Sequence, residues 1–240
     1  MSAPLVLVHG GGHGAWCWEP TLCHLASPAL AVDLPPRSIR GGPHRHASPP
    51  ELDRVTLSDW ARSVLSDATA AGWERFVLVG HSLGGATLAT VSRLAPSRVA
   101  HVVYVSAVVP ADGASVLDAL PPEILTKTAA GLTDEVVVDL FGSDMDEGQV
   151  RFLLDHVGTD AVGVLAEAVV RSGTPRGLPT TFVRLARDRA LPPAVQDVYA
   201  ERLRGGADAM EVIELDAGHD VMISRPAELA AVLDRIAARV

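Results

Sequence analysis

The chain alternates between short runs of apolar residues and longer segments in which apolar residues recur at helical spacing. Runs that are apolar at nearly every position are typical of strands that helices cover on both faces of a parallel sheet. The alternation of such strands with helices therefore predicts an α/β fold with a mostly parallel sheet. The six predicted strands lie at Leu5–Val8, Leu30–Val32, Phe76–Val79, Val99–Val109, Thr180–Leu185 and Glu211–Leu215.

Helical spacing is clearest in three segments between these runs. Ser58 is suited to cap the first, because a serine side chain accepts hydrogen bonds from the free N–H groups at a helix start. Pro226 is suited to the first turn of the last, where no N–H is needed. The first predicted helix carries Ala61, Val64, Leu65 and Ala68 on one face, the second spans Leu83–Leu94, and the third carries Leu229, Val232, Leu233 and Ile236.

Residues 110–178 interrupt this rhythm, because they contain helix-like pieces and little strand signal. We expect them to form a helical cap over one edge of the sheet, inserted into an α/β core of residues 1–109 and 179–240. Residues 34–56 are rich in Pro, His, Arg and Gly, which predicts a long loop. The helix-like pieces of the cap are Pro121–Ala130, Asp134–Phe141, Glu147–His156 and Thr159–Arg171.

Size and charge exclude several classes of protein. With 240 residues, 48% of them hydrophobic, the chain is long enough for one large core and too apolar to be disordered. A net charge of −9 disfavours nucleic acid as a partner, because nucleic acids are polyanions. No apolar run reaches the roughly 18–20 residues of a membrane helix, and no signal peptide is readable. We therefore expect a cytoplasmic protein without a membrane partner, and the sequence leaves a homodimer open.

The pattern Gly-x-Ser-x-Gly occurs at residues 80–84, with Ser82 at its centre. It follows a predicted strand and precedes a predicted helix, the context in which this pattern forms a sharp turn that exposes a nucleophilic serine. Small residues are needed at Gly80 and Gly84 because the chain crowds itself in such a turn. The free N–H groups of the following helix favour a developing negative charge. Ser82 is therefore the predicted nucleophile.

Three glycines, at positions 10–12, directly follow the first predicted strand. An oxyanion hole needs backbone N–H groups that face a cleft without side-chain obstruction. Glycine permits both the unusual dihedral angles and the close approach. We expect the N–H groups of Gly11 and Leu83 to form this hole, Leu83 being the residue after the predicted nucleophile.

The same glycines allow a second interpretation. Gly10, Gly12 and Ala15 fit the pattern G-x-G-x-x-A. Asp33 ends the second predicted strand about 20 residues later, as a dinucleotide-binding unit requires. Such an oxidoreductase would leave the turn at Ser82 unexplained, so it is the weaker alternative.

A serine hydroxyl needs a base that takes its proton, and in this strand–turn–helix setting the chain order is Ser, acid, His. His219 follows the last predicted strand and is the predicted base. Asp188 follows the strand before it, where a carboxylate can reach the far nitrogen of that imidazole. Asp112, after the fourth predicted strand, is the second choice as acid. Asp216 and Asp220 are less suited, because they are too close in sequence to His219 to face its ring.

The cysteines and the paired histidines do not predict a metal site. Cys17 and Cys23 are too few for a metal or disulfide framework. His44 and His46 have no third ligand beside them, whereas a zinc site takes three or four. We therefore expect no metal site.

These motifs together resemble the α/β-hydrolase superfamily, and within it the plant methylesterase and hydroxynitrile lyase branch with its bacterial esterase relatives. The resemblance covers nearly the whole chain and is weakest at residues 34–56 and 110–178. It implies an eight-stranded, mostly parallel sheet with helices on both faces, a helical cap and no cofactor. It also implies a triad of Ser82, His219 and Asp188. The residues that carry it are HGGGHGAWCW at 9–18, GHSLGG at 80–85, Asp188 with Pro192, and Gly218 with His219.

The resemblance also separates two activities. The lyases of this branch carry a threonine after the first-strand histidine and a lysine after the catalytic histidine, whereas this chain has Gly10 and Asp220 there. Without a cation to stabilise departing cyanide, cyanohydrin cleavage is disfavoured. We therefore expect a cofactor-independent serine hydrolase that cleaves carboxylic esters through an acyl-enzyme.

The apolar residues of the predicted cap favour a bulky apolar or aromatic small molecule as substrate. The same triad would serve a thioesterase, a lactonase or a carbon–carbon bond hydrolase, and the scaffold would also suit a receptor-like binding protein. Specificity depends on the cap and the pocket, so these alternatives stay open. The predicted pocket residues are Gly10, His81, Leu117, Leu120, Phe141 and Phe152.

Overall fold

The computed structural model describes residues 2–35, 54–129, 131–158, 162–175, 177–205 and 210–240. Within them, six parallel strands form one sheet in the order β2-β1-β3-β4-β5-β6. The fold class is therefore α/β, as the apolar runs predict. The strands are β1 (Leu5–Val8), β2 (Ala29–Val32), β3 (Phe76–His81), β4 (Val99–Val105), β5 (Thr180–Leu185) and β6 (Met210–Leu215).

The number of strands separates the two sources of the prediction. Six apolar runs predict six strands, and six form in the described part of the chain. The eight strands implied by the family resemblance are not found there. That count came from the family, whereas the count of six came from the apolar runs of this chain. The fourth run is also shorter than predicted, since β4 ends at Val105 and the chain turns at Ser106, which has a φ of 35°.

Helices cover both faces of the sheet because strand side chains alternate between two apolar clusters. In β1, Val6 and Val8 point into one cluster, whereas Leu5 and Leu7 point into the other. The first cluster is completed by α2 (Leu57–Ala70), α3 (Gly85–Leu94) and α9 (Pro193–Arg204). The second is completed by α10 (Val221–Ser224) and α11 (Pro226–Ala237), and α1 (Glu19–Leu22) packs against α11 on that side.

The predicted cap of α2 is displaced by two residues. Thr56, not Ser58, is the N-cap, and its hydroxyl accepts a hydrogen bond from the N–H of Asp59. The Asp59 carboxylate in turn accepts from the N–H of Thr56 at 3.0 Å. The aspartate three residues after Thr56 makes this reciprocal capping box available there. Pro226 starts α11, as predicted.

Residues 110–178 form helices, and no strand occurs in the part of this stretch that the structure describes. Val137 and Leu153 pack into the second apolar cluster, whereas Val116 and Val164 pack into the first. The last helix is shorter than the predicted piece Thr159–Arg171. The helices are α4 (Val116–Ala119), α5 (Pro122–Thr128), α6 (Asp134–Leu140), α7 (Glu147–His156) and α8 (Val162–Ala166).

Two sequence predictions fall on residues that the structure does not describe. Most of the predicted loop at 34–56 lies outside the described residues, and so do His44 and His46. In the described residues, no helix is both long enough and apolar enough to cross a membrane.

Candidate active site

Ser82 lies in a strained turn between β3 and α3. Its φ is +50°, in the left-handed region that residues with a side chain rarely adopt. The turn depends on two close approaches, because a Cβ at Gly84 would lie 2.4 Å from the carbonyl oxygen of His9 and one at Gly80 would lie 2.8 Å from the Leu88 side chain. The predicted strand–turn–helix is therefore present, and it leaves Ser82 partly exposed between buried neighbours.

His219 reaches Ser82 from the loop after β6. Its Nε2 lies 3.0 Å from the Ser82 Oγ, within hydrogen-bond distance. The residues are 137 positions apart in sequence. They meet because the carboxyl ends of parallel strands lie at the same edge of the sheet. The imidazole is 1% exposed, whereas the hydroxyl that it faces is accessible.

Asp188 lies on the far side of the His219 ring. Its Oδ2 accepts a hydrogen bond from His219 Nδ1 at 2.7 Å and one from the Ser106 hydroxyl at 2.5 Å. Its Oδ1 accepts from the N–H groups of Ala190 and Leu191, both at 2.8 Å. Four donors thus face the buried carboxylate, and an ionised carboxylate only accepts. This arrangement leaves His219 Nε2 as the acceptor for the Ser82 proton.

The other candidate acids face different groups. Asp112 accepts from the N–H groups of Arg171 and Ser172 at 2.7 and 3.1 Å, so the structure does not bring it to His219. Asp216 pairs with the exposed Arg187 guanidinium at 2.9 Å. Asp220 is buried, and its Oδ2 pairs with His13 Nε2 at 2.8 Å.

Two opposing effects set the pKa of His219. Burial by itself lowers it, but the adjoining Asp188 carboxylate, with a smaller contribution from Asp220, outweighs burial and raises the pKa above its ordinary value of 6.5. The imidazolium is therefore favoured in this site. That form is the one produced when the ring takes a proton from a serine.

The glycine loop after β1 is held by histidine side chains. His9 Nδ1 donates to the carbonyl of Gly10 at 2.8 Å, while its Nε2 accepts from the N–H of Leu34 at 3.1 Å. A Cβ at Gly10 would lie 2.8 Å from the Ser82 Cβ, so only glycine fits beside the nucleophile. Within the described residues, the N–H groups of Gly11 and Leu83 donate to no backbone carbonyl outside their own helix or strand.

Sequence reasoning missed a second buried histidine–carboxylate pair. His13 Nε2 lies 2.8 Å from Asp220 Oδ2, and His13 Nδ1 lies 2.6 Å from the carbonyl oxygen of Gly11. His81 Nε2 lies 3.0 Å from the carbonyl oxygen of His219. Burial, reinforced by the neighbouring His219, lowers the pKa of His81 well below its ordinary value, so His81 is neutral and donates to that carbonyl.

The predicted pocket residues divide into two groups. Gly10 touches Ser82, the His81 ring lies 4.6 Å from the His219 ring, and the Phe141 ring stacks on the His219 ring at 5.4 Å. The other three lie elsewhere: Leu117 is 38% exposed, Leu120 packs against the first apolar cluster, and Phe152 packs on Trp16 and His156. Helical spacing identifies an apolar face but not which part of it reaches a site.

Two residues that sequence reasoning did not select lie over the glycine loop. A Cβ at Gly12 would lie 3.2 Å from Leu132 and 3.3 Å from Val157. The Gly12 carbonyl also accepts from the N–H of Gly158 at 2.8 Å. The helical segment therefore closes over the glycine loop at this point.

Among the residues that the structure describes, one group of side chains has the composition of a metal site. Donor atoms of His81, His219 and Asp220 lie within 4.8 Å of one another, and all three residues are buried. Each of them already takes part in the hydrogen bonds described above, and His219 faces Ser82. These contacts account for the cluster as part of the Ser82 site.

The dinucleotide-binding alternative loses its acidic residue. The Asp33 carboxylate accepts from the N–H of Ala15 at 2.7 Å, so it fastens the glycine loop to the end of β2. In a dinucleotide site that carboxylate would bind a ribose. The helix after the glycines is also short, since α1 spans only four residues.

Comparisons with known proteins agree with this geometry. Residues 5–232 match the sequence profile of the Alpha/beta hydrolase family. A carbendazim hydrolyzing esterase of Nocardioides sp. (strain SG-4G) is 30% identical over 95% of this chain and 97% of its own. Methylesterase 7 of Arabidopsis thaliana is 27% identical over 97% of this chain and 95% of its own. The structure of an extracellular alpha/beta-hydrolase from a Paenibacillus species superposes with a TM-score of 0.80 at 22% identity, covering 99% of this chain and all of that one.

Proposed function

The chain belongs to the alpha/beta hydrolase family, and from this premise we propose that it is a serine esterase acting on small-molecule carboxylic esters. The observation that carries this proposal is the continuous hydrogen-bonded path from Ser82 Oγ through His219 to Asp188, with distances of 3.0 and 2.7 Å. Of these three residues, only Ser82 is partly exposed to solvent.

The first half of the reaction forms an acyl-enzyme. Ser82 Oγ attacks the ester carbonyl carbon while His219 Nε2 takes its proton. The carbonyl oxygen becomes an oxyanion, which the N–H groups of Gly11 and Leu83 are suited to hold. The intermediate collapses as His219 returns the proton to the departing alkoxide, which leaves as an alcohol. Asp188 stabilises the imidazolium in between.

The second half of the reaction releases the acid. Water enters the space that the alcohol has left, and His219 takes one of its protons. The resulting hydroxide attacks the acyl carbon, and the same two N–H groups hold the second oxyanion. His219 then returns a proton to Ser82 Oγ, so the enzyme is regenerated and the acid product leaves.

The surroundings of Ser82 favour an apolar or aromatic group next to the scissile bond. Phe141 covers one face of His219, and Leu132 and Val157 lie over the glycine loop. These side chains offer apolar contact and no charge to a substrate. The names of the relatives, a methylesterase and a carbendazim hydrolyzing esterase, agree with a small-molecule ester as substrate.

The position after the catalytic histidine weighs against cyanohydrin cleavage. Asp220 occupies it, and this buried carboxylate faces His13. The lysine that the lyases of this branch carry at that position, to receive departing cyanide, is absent from this sequence. Ester hydrolysis needs none at that position.

A panel of esters tests the proposal. We expect the protein to release acid and alcohol from uncharged aryl and methyl esters. Ser82→Ala should lower turnover by roughly 10⁴-fold or more, as deletions of a triad nucleophile do. Matched thioesters, lactones and β-diketones, assayed beside the esters, distinguish an esterase from a thioesterase, a lactonase and a carbon–carbon bond hydrolase. A folded wild-type protein that turns over none of the esters, or a Ser82→Ala variant that keeps its rate, would contradict the proposal.

Location and assembly stay predictions of the sequence. The cytoplasmic location is checked by fractionating the source cells. The homodimer is checked by measuring the mass of the protein in solution.

A further inference from the structure

We propose that His13 and Asp220 form a buried ion pair with a positioning role. Its two fixed charges lie beside the groups on which charge develops during the reaction. The proposal rests on the proposed function, because it assigns these charges to the oxyanion hole and to His219. Neither residue touches the substrate in this account. Both act through neighbours, His13 through the glycine loop and Asp220 through the catalytic histidine.

The hydrogen bonds of His13 define its protonation. Its Nδ1 lies 2.6 Å from the Gly11 carbonyl oxygen, which only accepts, and its Nε2 lies 2.8 Å from the Asp220 carboxylate. A neutral imidazole has one donor nitrogen, so two acceptors require an imidazolium while the carboxylate is ionised. Burial by itself raises the pKa of Asp220, but the His13 charge and hydrogen bond outweigh burial and lower it. The pair is therefore a buried imidazolium–carboxylate pair.

The environment of the pair is almost dry. His13 is 1% exposed and Asp220 is fully buried. The Trp16 ring stacks on His13 with 5.2 Å between ring centroids and an interplanar angle of 18°, and the Phe141 ring centroid lies 5.4 Å from that of His13 at an interplanar angle of 64°. Charges in such surroundings are weakly screened, so their fields reach neighbouring groups.

The pair connects the two loops that the reaction must keep in register. His13 binds the carbonyl of Gly11, whose N–H is a proposed oxyanion donor. Asp220 directly follows His219, and its carboxylate is held by His13 across 207 positions of sequence. His81 adds a second fastening by donating to the His219 carbonyl at 3.0 Å. A shift of either loop would therefore move the other.

Each end of the pair lies beside a group that the reaction uses: His13 binds Gly11, whose N–H is a proposed oxyanion donor, and Asp220 raises the pKa of His219. Negative charge develops at the oxyanion, next to the loop that carries the positive His13. Positive charge develops on His219, next to the negative Asp220. Each end of the pair therefore attracts the charge that appears beside it, and the dipole is in place before the reaction begins.

Other charged and titratable groups also face His219. Asp188 supplies the largest favourable charge, and Asp220 acts in the same direction. His81 is neutral and contributes a hydrogen bond to the loop. The next charges outward are those of Asp144, which accepts from the N–H of Gly218 at 2.8 Å, and of Arg187 beside Asp144 at 3.8 Å.

Asp220→Asn separates charge from shape. The carboxamide keeps the volume, and its N–H can donate to a neutral His13 that still donates to Gly11. We expect kcat to fall by roughly tenfold, less than the loss of about 10²–10³ on deleting an oxyanion donor. KM should change little. The acidic limb of the pH–rate profile should move to lower pH, because the charge that favours the His219 imidazolium is gone.

Asp234→Asn is the matched control. Asp234 also accepts hydrogen bonds from two backbone N–H groups, those of Ala26 and Ser27, but it lies outside the site. The control likewise replaces one carboxylate by an amide, and it should leave kcat and the pH limb unchanged. Rates are expressed per site reactive toward a fluorophosphonate. An Asp220→Asn variant with unchanged kcat per site and an unmoved limb would overturn the proposal.

Histidine side-chain NMR on the wild-type protein needs no variant and decides the question if Asp220→Asn does not fold. We expect His13 to carry protons on both ring nitrogens at neutral pH. A His13 with one ring proton would overturn the proposal while leaving an active esterase intact. A doubly protonated His13 in a protein that turns over no ester would contradict the proposed function instead.

Discussion

The hydrogen-bond partners of each buried polar atom determine the chemistry at the scale of single residues. Asp188 uses both carboxylate oxygens, each with two donors, and this leaves one nitrogen of His219 for Ser82. Asp112 uses its carboxylate for two backbone N–H groups at the surface. Two aspartates with similar positions after strands therefore have different roles, and only the contacts separate them.

Replacing these two aspartates tests the assignment of the acid. Asp188→Asn introduces an N–H group among four donors, so His219 loses its partner or adopts the wrong tautomer. We expect kcat to fall on the order of 10⁴-fold, as the equivalent change does in other Ser-His-Asp enzymes. Asp112→Asn is the control and should change kcat little. Steady-state kinetics on one aryl ester measures both, and a larger loss for Asp112→Asn would reassign the acid.

The pKa of His219 predicts how activity depends on pH. Asp188 raises this pKa above 6.5, and only the neutral imidazole can take the Ser82 proton. Activity should therefore be low in acid and rise with pH, with a midpoint above 6.5 for the free enzyme. A kcat/KM profile from about pH 5 to 9 measures the midpoint. A profile that is flat across this range would exclude His219 as the base.

The sequence predicts some of these residues and misses others for a physical reason. Ser82, His219 and Asp188 are readable because each follows a predicted strand, and parallel strands end at one edge of a sheet. His13 and Asp220 lie 207 positions apart, and no local pattern joins them. Ser106, which donates to Asp188, is also missed. The apolar run predicts a strand to Val109 and so places Ser106 inside it, whereas the strand ends at Val105.

Close backbone contacts determine how the elements meet at the nucleophile. Gly84 starts the step from the turn into α3, and it lies against the end of β1. A Cβ there would meet the His9 carbonyl oxygen at 2.4 Å and the Val8 carbonyl oxygen at 3.1 Å. Both obstacles are backbone atoms, which cannot move aside as a flexible side chain can.

Gly84→Ala tests this contact. Overpacking of this kind costs about 1–3 kcal/mol of unfolding free energy, which lowers Tm by about 2–4 °C per kcal/mol in a domain of this size. We expect a lower Tm together with a loss of turnover, because the turn carries Ser82. Gly205→Ala is the control: its Cβ would meet nothing nearer than 3.8 Å. Differential scanning calorimetry measures the Tm of both variants, and an ester assay measures their turnover. Equal Tm values for the two variants would contradict the tight contact.

The sequence predicts the strands better than it predicts the ends of the helices. Buried strands are read from continuous apolar runs, and all six runs overlap strands in the described residues. The start of α2 was predicted at Ser58, because any serine before a helical pattern suits a cap. Thr56 is the cap in the structure since Asp59 completes a reciprocal pair with it. The helices of residues 110–178 are short, so their ends depend on contacts with the core.

At the scale of the whole molecule, the helical residues 110–178 contact the edge of the sheet that carries Ser82 and His219. Three of their backbone and side-chain contacts reach segments that flank the site, two of them loops and one the short helix α10. Asp144 binds the N–H before His219, Gln149 donates to the Ile223 carbonyl at 2.9 Å, and Gly158 donates to the Gly12 carbonyl. These contacts support the proposed division into an α/β core and a cap of residues 110–178. They also tie the apolar cover of the site to the loops that carry the chemistry.

The central claim is that Ser82 is a nucleophile activated by His219, and covalent labelling tests it most directly. The folded protein is treated with a fluorophosphonate, weighed intact and mapped by peptide mass spectrometry. We predict a single adduct on Ser82 that forms in the wild type and is absent from folded Ser82→Ala and nearly absent from folded His219→Ala. An unmodified wild-type protein, or an adduct on another residue, would contradict the account.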